Sequence, residues 1–296
     1  MGEARDSAAG TGARALRIYW IAVALLLATA ATFAVSLLHW GAVIEAADTA
    51  ASFPACAEVK TGVAGRHLRR SRKGVPYTVV TPRNYQAMHA YPLLVVYAPA
   101  GLGARLSERH AGLTQAATRA GFVLAFAGSA RPLGLEAVAR LAEVPDEVAA
   151  DWCVDETRVY ATGHSDGGTV AMALAARPEH RGRFDALVVS GAGWQARDFV
   201  PLACVPPTPV MILHGEEDGH FPGFGRESAA RWSRCNACMR EMEADAQGCR
   251  AYTGCAAATV YCQTPGRGHW RWAGASQRVI GFLAQLRQPS TDAGVD

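Results

Sequence analysis

The chain has 296 residues, of which 50% are hydrophobic and 19% are charged, with 30 glycines, 15 prolines and 8 cysteines. This composition excludes collagen-like, coiled-coil and intrinsically disordered proteins, and the length suits one domain with an appendage. A net charge of +3, from 29 basic and 26 acidic residues, argues against nucleic acid as the main partner. The densest basic run, residues 66–73, is expected to be a solvated loop.

The N-terminal segment predicts export from the cytoplasm. Residues 18–38 carry no charged side chain, and about 20 helical residues cross the hydrocarbon core of a bilayer. Arginines precede this stretch and acidic residues follow it, so the positive-inside rule places residues 1–17 in the cytoplasm and the rest outside. We expect residues 18–44 to be a retained signal anchor. The alternative is a signal peptide, because Ala28-Thr29-Ala30 matches a cleavage site.

After a linker at residues 45–60, short apolar runs alternate with amphipathic stretches. Seven runs are typical of β-strands: Tyr77–Val80, Leu93–Ala98, Phe122–Phe126, Val159–Thr162, Ala186–Ser190, Pro209–His214 and Thr259–Cys262. Five stretches are typical of helices: Leu113–Ala120, Leu135–Asp151, Gly167–Ala176, Gly225–Arg234 and Gly274–Leu286. Continuous apolar strands separated by helices indicate a mostly parallel sheet with helices on both faces. We expect one α/β domain over residues 61–287 and a polar tail over 288–296.

The cysteines agree with export. An even count of eight in a chain delivered to an oxidising compartment indicates disulfides. Five of them fall within residues 235–262, where they would cross-link an irregular insertion, and 105 complete pairings are possible for eight cysteines. Cys235 and Cys238 have the spacing of a redox or zinc motif, but no strand leads into the pair and no histidine sits at finger spacing. Structural disulfides are therefore favoured, and no metal is expected.

A G-x-S-x-G pattern occupies residues 163–167. The pattern follows one predicted strand and opens a predicted helix, which is the strand, turn and helix setting of a nucleophile elbow. Such a turn presents the serine hydroxyl at the sheet edge and needs flanking glycines, because a Cβ there would clash with the strand and helix. Ser165 is the predicted nucleophile. A phosphate-binding loop is disfavoured, because neither the dinucleotide nor the Walker spacing is present.

A serine nucleophile needs a base and an acid, which in this setting follow in the order Ser, Asp or Glu, His, on loops after later strands. His269 lies in a glycine-rich turn after the last predicted strand and is the predicted base. The other eight histidines precede the serine, lie in the elbow or at a helix end, or flank the acid loop. The loop after strand Pro209–His214 offers Asp218 as the acid, with Glu217 as the alternative.

An oxyanion hole requires two backbone N–H groups. Asp166, which follows the nucleophile, is predicted to supply one of them. The loop after strand Leu93–Ala98 is predicted to supply the other. Pro99 has no N–H, so Ala100 or Gly101 must donate, and Gly101 is preferred.

Three segments carry a family resemblance: Val154–Gly168, Pro209–Asp218 and Gly268–Trp270. They resemble the α/β-hydrolase branch that contains polyhydroxybutyrate depolymerases and feruloyl or acetyl xylan esterases, and the likeness covers roughly residues 74–286. In that branch the acid comes four residues after the histidine of its loop, which selects Asp218. The family commonly has His-Gly in its oxyanion loop, where this chain reads Ala98-Pro99-Ala100-Gly101.

The resemblance implies an α/β-hydrolase fold and an exported serine esterase that works through an acyl-enzyme without metal or cofactor. Short-chain, hydroxycinnamoyl or hydroxyalkanoate esters are the expected substrates. Trp270, Trp194 and Phe221 are candidate substrate contacts, with Phe224 and Trp272 nearby, and core packing is the alternative for each. A serine peptidase or amidase of the same fold is the main alternative. A non-catalytic membrane-tethered binding domain is disfavoured, because all three catalytic residues occur in order.

Overall fold

A computed structural model describes residues 19–24, 43–47, 53–180, 182–270 and 275–286. The chain divides into two units, residues 1–42 and 43–296. In the first unit residues 19–24 are helical; most of the expected signal anchor lies outside the described residues, as do the expected cytoplasmic and polar tails. Within the described ranges, no helix combines the length and apolarity needed to span a membrane.

The second unit contains one ten-stranded sheet within its described ranges. The strands are β1 (Arg66–Arg70), β2 (Pro76–Val80), β3 (Tyr91–Tyr97), β4 (Val123–Ala127), β5 (Val154–His164), β6 (Ala186–Ser190), β7 (Val210–Gly215), β8 (Arg240–Glu241), β9 (Cys249–Thr253) and β10 (Thr259–Thr264). Their order across the sheet is β1-β2-β4-β3-β5-β6-β7-β10-β9-β8. Six strands that are neighbours in the sheet run parallel to one another: β4, β3, β5, β6, β7 and β10. Strands β1 and β2 at one end, and β9 and β8 at the other, pair antiparallel to their neighbours.

The helices in the described part of this unit pack on the two faces of the sheet. They are α1 (Ala104–Ala111), α2 (Thr114–Arg119), α3 (Leu135–Leu141), α4 (Val144–Asp151), α5 (Asp166–Ala176), α6 (Ala196–Phe199), α7 (Phe224–Cys235) and α8 (Ala275–Gln285). Residues from α3 to α7 join one buried apolar cluster, and residues from α2 and α8 join the other. Strand β3 feeds both clusters, because Leu93 and Val95 point to one face and Leu94 and Val96 to the other. The prediction of a mostly parallel sheet covered on both faces is confirmed.

All seven predicted strands occur, but three further strands do not follow from the apolar pattern. The prediction of a solvated loop at residues 66–73 is wrong, because residues 66–70 form the edge strand β1. Its side chains are mostly exposed, and edge strands carry charged residues that discourage pairing with other chains. Three basic side chains of the run form ion pairs: Arg66 with Glu108 at 2.7 Å, Arg72 with Glu147 at 2.9 Å and Lys73 with Glu143 at 2.9 Å.

The helix predicted over Leu135–Asp151 is two helices, α3 and α4. Pro145 lies in the first turn of α4. A proline removes a backbone donor and clashes with the carbonyl four residues earlier, so one continuous helix cannot pass through this position. Helix α1 was missed because two of its three buried residues are Ser107 and Glu108.

Described parts of the expected linker pack against the domain. Phe53 is buried in the first apolar cluster, and Cys56 is bonded to Cys153. The remaining bridges are Cys204–Cys235, Cys238–Cys255 and Cys249–Cys262. Structural disulfides are thus confirmed, and Cys235 and Cys238 have different partners. Four disulfides that pair all eight cysteines are typical of extracellular or periplasmic proteins.

Candidate active site

Ser165 lies in a sharp turn between β5 and α5. Its φ of 55° and ψ of −124° are unusual for a residue with a side chain. The turn is tight on both sides, because a Cβ on Gly163 would overlap the backbone of Gly167, and a Cβ on Gly167 would overlap the carbonyl of Tyr97. The N–H of Ser165 also donates to the carbonyl of Ser190 at 2.9 Å. The surrounding backbone therefore holds the strained serine in place.

The structure brings together the three residues predicted to act as nucleophile, base and acid. The Oγ of Ser165 is 2.8 Å from Nε2 of His269. The Nδ1 of His269 is 2.8 Å from Oδ2 of Asp218. Both distances suit strong hydrogen bonds, with the serine hydroxyl donating to Nε2 and the Nδ1–H donating to the carboxylate. The three residues come from loops that follow β5, β7 and β10, at the carboxyl ends of parallel strands.

Asp218 is held as an anion. Its side chain is 1% exposed, and its Oδ1 accepts the backbone N–H groups of His220 at 2.9 Å and Phe221 at 3.0 Å. Burial alone would raise the pKa of this carboxyl, but the hydrogen bonds from His269 and Phe221 and the electrostatic attraction of His269 outweigh burial and lower the pKa. The alternative acid, Glu217, is exposed.

Aromatic rings surround the imidazole of His269. His220 stacks on it with centroids 4.6 Å apart and planes 19° apart. His164 lies 5.1 Å away at 36°, and Phe221 meets it edge-on at 5.1 Å. The motif and the chain order that select Ser165, Asp218 and His269 give no role to His164 or His220. For His164, the one sequence feature that could indicate a role in the site is its position directly before Ser165.

His214 supports the acid loop from within. Its Nε2–H donates to the carbonyl of Phe221 at 2.9 Å, three residues after Asp218. Burial is the main cause of its lowered pKa, so the ring stays neutral and keeps this donor. Gly225 is close by, and a Cβ there would overlap the His214 ring.

The two predicted oxyanion donors follow adjacent strands. Asp166 is the first residue of α5, where helical N–H groups lack partners within the helix, and its carboxylate pairs with Arg131 at 2.9 Å. Gly101 lies in a turn closed by the Leu102 N–H and the Pro99 carbonyl at 3.2 Å. Its φ is +74°, which suits glycine at the third position of a type II turn. β3 and β5 are neighbours in the sheet, so both loops open at one edge.

The aromatic candidates divide into exposed and buried residues. Trp270 is 79% exposed directly after His269, and Phe221 contacts the His269 ring. Trp194 is 9% exposed and packs on Phe199 with centroids 4.8 Å apart, so its packing role is favoured over substrate contact. Phe224 stacks on Phe221 at 5.6 Å. Trp272 lies outside the described residues.

Three side chains in the described site could offer metal ligands. One ligand atom each from Asp218, His220 and His269 lie within 4.8 Å of one another. Asp218 and His269 already bond to each other, however, and the rings of His220 and His269 are nearly parallel. Imidazole nitrogens bind metals in the plane of the ring, so two stacked rings do not converge on one ion. We assign no metal to this group.

Comparison with known proteins places the fold among esterases. No protein-family model matches the chain. A protein of Nocardia uniformis subsp. tsuyamanensis with the name "Putative esterase NocK" is 34% identical over 151 residues. That match covers 47% of this chain and 43% of the relative, so the chain spans less than half the length of the curated relative it matches.

Solved structures match more of the chain at low identity. Esterase 2 of Thermogutta terrifontis has a TM-score of 0.55 at 13% identity and covers 78% of this chain and 95% of its own. The S-formylglutathione hydrolase FrmB of Staphylococcus aureus has a TM-score of 0.52 at 14% identity, covering 75% and 98%. An acetyl xylan esterase of Aspergillus awamori has a TM-score of 0.51 at 14% identity, covering 74% and 100%. The chain thus shares its fold with these three solved hydrolases.

Proposed function

We propose that the protein is a serine hydrolase that cleaves carboxylic esters through Ser165, His269 and Asp218. The observation that carries the proposal is the pair of 2.8 Å hydrogen bonds that join the three side chains in the order needed for proton transfer. The esterase names of NocK and of the fold neighbours support an ester as the substrate.

In the proposed reaction, Ser165 attacks the ester carbonyl while Nε2 of His269 takes the serine proton. The negative oxygen of the tetrahedral intermediate accepts the N–H groups of Asp166 and Gly101. His269 then gives its proton to the leaving alcohol, which leaves the acyl group on Ser165. Water, deprotonated by His269, attacks this acyl-enzyme and releases the carboxylic acid. Asp218 stabilises the imidazolium in both steps.

The proposed substrates carry a short-chain, hydroxycinnamoyl or hydroxyalkanoate acyl group. Trp270 supports an aromatic or otherwise flat group, because it directly follows the base in the chain and its ring is exposed. Phe221 adds a second apolar surface next to His269. We also propose that this chain belongs to the branch of polyhydroxybutyrate depolymerases and feruloyl esterases.

A substrate panel tests the proposal. Purified protein should hydrolyse p-nitrophenyl acetate and butyrate, and Ser165→Ala should reduce the rate to background while keeping the wild-type circular dichroism spectrum. A fluorophosphonate probe should label the wild-type serine and leave the variant unlabelled. Methyl ferulate and hydroxybutyrate oligomers then rank the acyl groups. Faster cleavage of dipeptide amides than of esters would instead identify a peptidase, and an unlabelled wild type would reject the serine hydrolase.

We further propose that residues 18–44 retain the enzyme at the outer side of the cytoplasmic membrane. The four disulfides support an oxidising location, and the uncharged N-terminal stretch supports anchoring. Cell fractionation should find full-length protein with the membranes. Soluble protein whose N-terminal sequence begins after Ala30 would show cleavage instead.

A further inference from the structure

His164 lies between the candidate catalytic histidine and a third imidazole. It is the last residue of β5 and directly precedes Ser165. Its ring centroid is 5.1 Å from that of His269 and 5.5 Å from that of His110, with planes tilted by 36° and 34°. Its ring also lines a small apolar cavity of about 40 Å³, so packing alone does not fix its orientation.

Two hydrogen bonds define the orientation and the protonation of this ring. Its Nε2 is 3.2 Å from the backbone carbonyl oxygen of His269, and its Nδ1 is 3.1 Å from Oγ of Ser190. A carbonyl oxygen only accepts, so Nε2 carries the proton and donates to it. Nδ1 then accepts from the Ser190 hydroxyl. A single neutral tautomer of His164 therefore satisfies both partners.

The bond to His269 links the nucleophile side of the site to the histidine loop. Two further contacts hold this loop from the acid side: the Glu217 N–H donates to the Arg267 carbonyl at 2.8 Å, and the Gly266 N–H donates to the Glu216 carboxylate at 3.1 Å. These contacts act two and three residues before His269. The His164 bond is made to the backbone of His269 itself, the residue whose Nε2 faces the Ser165 hydroxyl.

Electrostatics keep His164 neutral. Burial, together with electrostatic repulsion from His269 and His110, lowers its pKa to about 4, against the opposing effects of the hydrogen bond to the His269 carbonyl and of Asp218. The Nδ1 atom thus stays an acceptor for Ser190 at neutral pH. A neutral ring also adds no repulsion when His269 takes the proton of Ser165 and becomes an imidazolium.

We propose that His164 is a positioning residue for the base: its Nε2–H bond to the His269 carbonyl holds the catalytic imidazole within hydrogen-bond reach of Ser165. This inference rests on the proposed function, since it assigns His269 as the base. His164 acts through His269 and has no direct role in the chemistry. The proposal explains why a histidine occupies the position before the nucleophile in this chain.

Two amide substitutions separate the bond to His269 from the bond to Ser190. In His164→Gln, the side-chain NH₂ lies about where Nε2 lies and still reaches the His269 carbonyl. In His164→Asn, the amide ends near the position of Nδ1, so it reaches Ser190 but not His269. We expect kcat for p-nitrophenyl butyrate to fall about 10- to 100-fold in the Asn variant, because a misplacement of about 1 Å costs about that much. In the Gln variant kcat should fall no more than about threefold, and KM should change less than about threefold in both.

A proton NMR measurement reads the same geometry without substrate. The Nδ1–H of His269, bonded to Asp218, should give a low-field resonance in wild type and in His164→Gln, and this resonance should broaden or shift in His164→Asn. The thermal unfolding midpoints of the two variants should agree. Equal kcat values and equal resonances in Gln and Asn variants would overturn the proposal. So would a loss of activity that follows a loss of thermal stability.

Failure of the proposed function gives a different result. If the wild type cleaves no ester and its Ser165 does not react with fluorophosphonate, the esterase assignment fails. The low-field resonance and its response to the two amides still report whether His164 positions His269. The positioning role is rejected if the resonance is the same in wild type and both variants.

Discussion

Asp218 fixes which nitrogen of His269 carries a proton. Its Oδ2 faces Nδ1 of His269, and its Oδ1 is occupied by the N–H groups of His220 and Phe221. The carboxylate therefore accepts from Nδ1–H and leaves Nε2 to accept the hydroxyl of Ser165. An amide at this position would present an NH₂ group to Nδ1 and favour the opposite tautomer.

We expect Asp218→Asn to lower kcat for a short-chain ester by roughly 10⁴-fold, as wrong-tautomer substitutions do in serine hydrolases. Circular dichroism should stay unchanged, because the amide fills the same volume. Glu217→Gln is the matched control: the neighbouring carboxylate is exposed, and its neutralisation should change kcat less than about twofold. If Glu217→Gln proved inactive and Asp218→Asn active, Glu217 would be the acid.

The lowered pKa of Asp218 also predicts how stability depends on pH. The folded state holds this carboxyl ionised to lower pH than the unfolded chain, where an aspartate titrates near about 3.9. Its contribution to the free energy of unfolding is present above that value and is lost as pH falls through the folded pKa. In urea titrations over this acid range, Asp218→Asn should lose stability less steeply than wild type.

Asp185 provides a control, because its pKa is shifted in the direction opposite to that of Asp218. Burial is the main cause of its raised pKa, so its ionisation costs stability as pH rises through its folded pKa, and acidification relieves that cost. Removing it in Asp185→Asn should make the acid-side loss of stability steeper than in wild type. Parallel slopes in wild type and both variants would contradict both assignments.

The residues of the site differ in how far the sequence reveals them. Ser165, Asp218 and His269 follow from a turn pattern, from chain order and from a family resemblance, since catalytic loops occupy fixed places after parallel strands. The rings of His164 and His220 lie with their centroids 4.6–5.1 Å from that of His269, and no local sequence pattern encodes these contacts. In the sequence, Trp194 and Trp270 are both tryptophans in loops expected near the site. Only the fold shows that the Trp194 ring is buried and the Trp270 ring is exposed.

The turn from β5 into α5, which carries Ser165, packs closely against β3. Gly167, in the first turn of α5, lies against the Tyr97 carbonyl. Gly281 lies in α8, where a Cβ would meet no described atom outside its own helix within 4 Å. Helix propensity favours alanine over glycine in a helix, so any opposite effect at Gly167 must come from packing against β3.

We expect Gly167→Ala to lower the free energy of unfolding by at least about 3 kcal/mol, because backbone cannot move aside as a flexible side chain would. Gly281→Ala should instead raise it by about 0.5–1 kcal/mol. Urea denaturation of both variants measures the contrast. A stabilising Gly167→Ala would show that α5 can shift away from β3, and the close approach would then not hold Ser165.

Among the elements, the sequence pattern predicts best the strands whose two faces are both buried. Central strands such as β3 are continuous apolar runs because helices cover both faces. Strands β1 and β8 lie at the ends of the sheet and are mostly or wholly exposed, so they lack that signal. Helix α1 also lacks an apolar pattern in the sequence, because two of the residues that it buries are a serine and a glutamate.

Across the whole molecule, the disulfides differ in the length of chain that they close. Cys56–Cys153 spans 97 residues and ties the segment before β1 to the start of β5. Cys249–Cys262 spans 13 residues and joins β9 to β10, the strand that leads to His269. The first bridge therefore restricts the unfolded chain more, and the second lies nearer the site.

These positions predict that removing the first bridge lowers stability more, and that removing the second bridge lowers activity more. In the chain-entropy account, loops of these lengths contribute about 4.7 and about 3 kcal/mol. The variant with Cys56→Ala and Cys153→Ala should therefore lose about 2 kcal/mol more in urea denaturation than the variant with Cys249→Ala and Cys262→Ala. The second variant should show the larger fall in kcat, because β10 sets the position of the histidine loop. Equal kcat in the two variants would mean that contacts from the acid loop and His164 position His269 without help from the bridge.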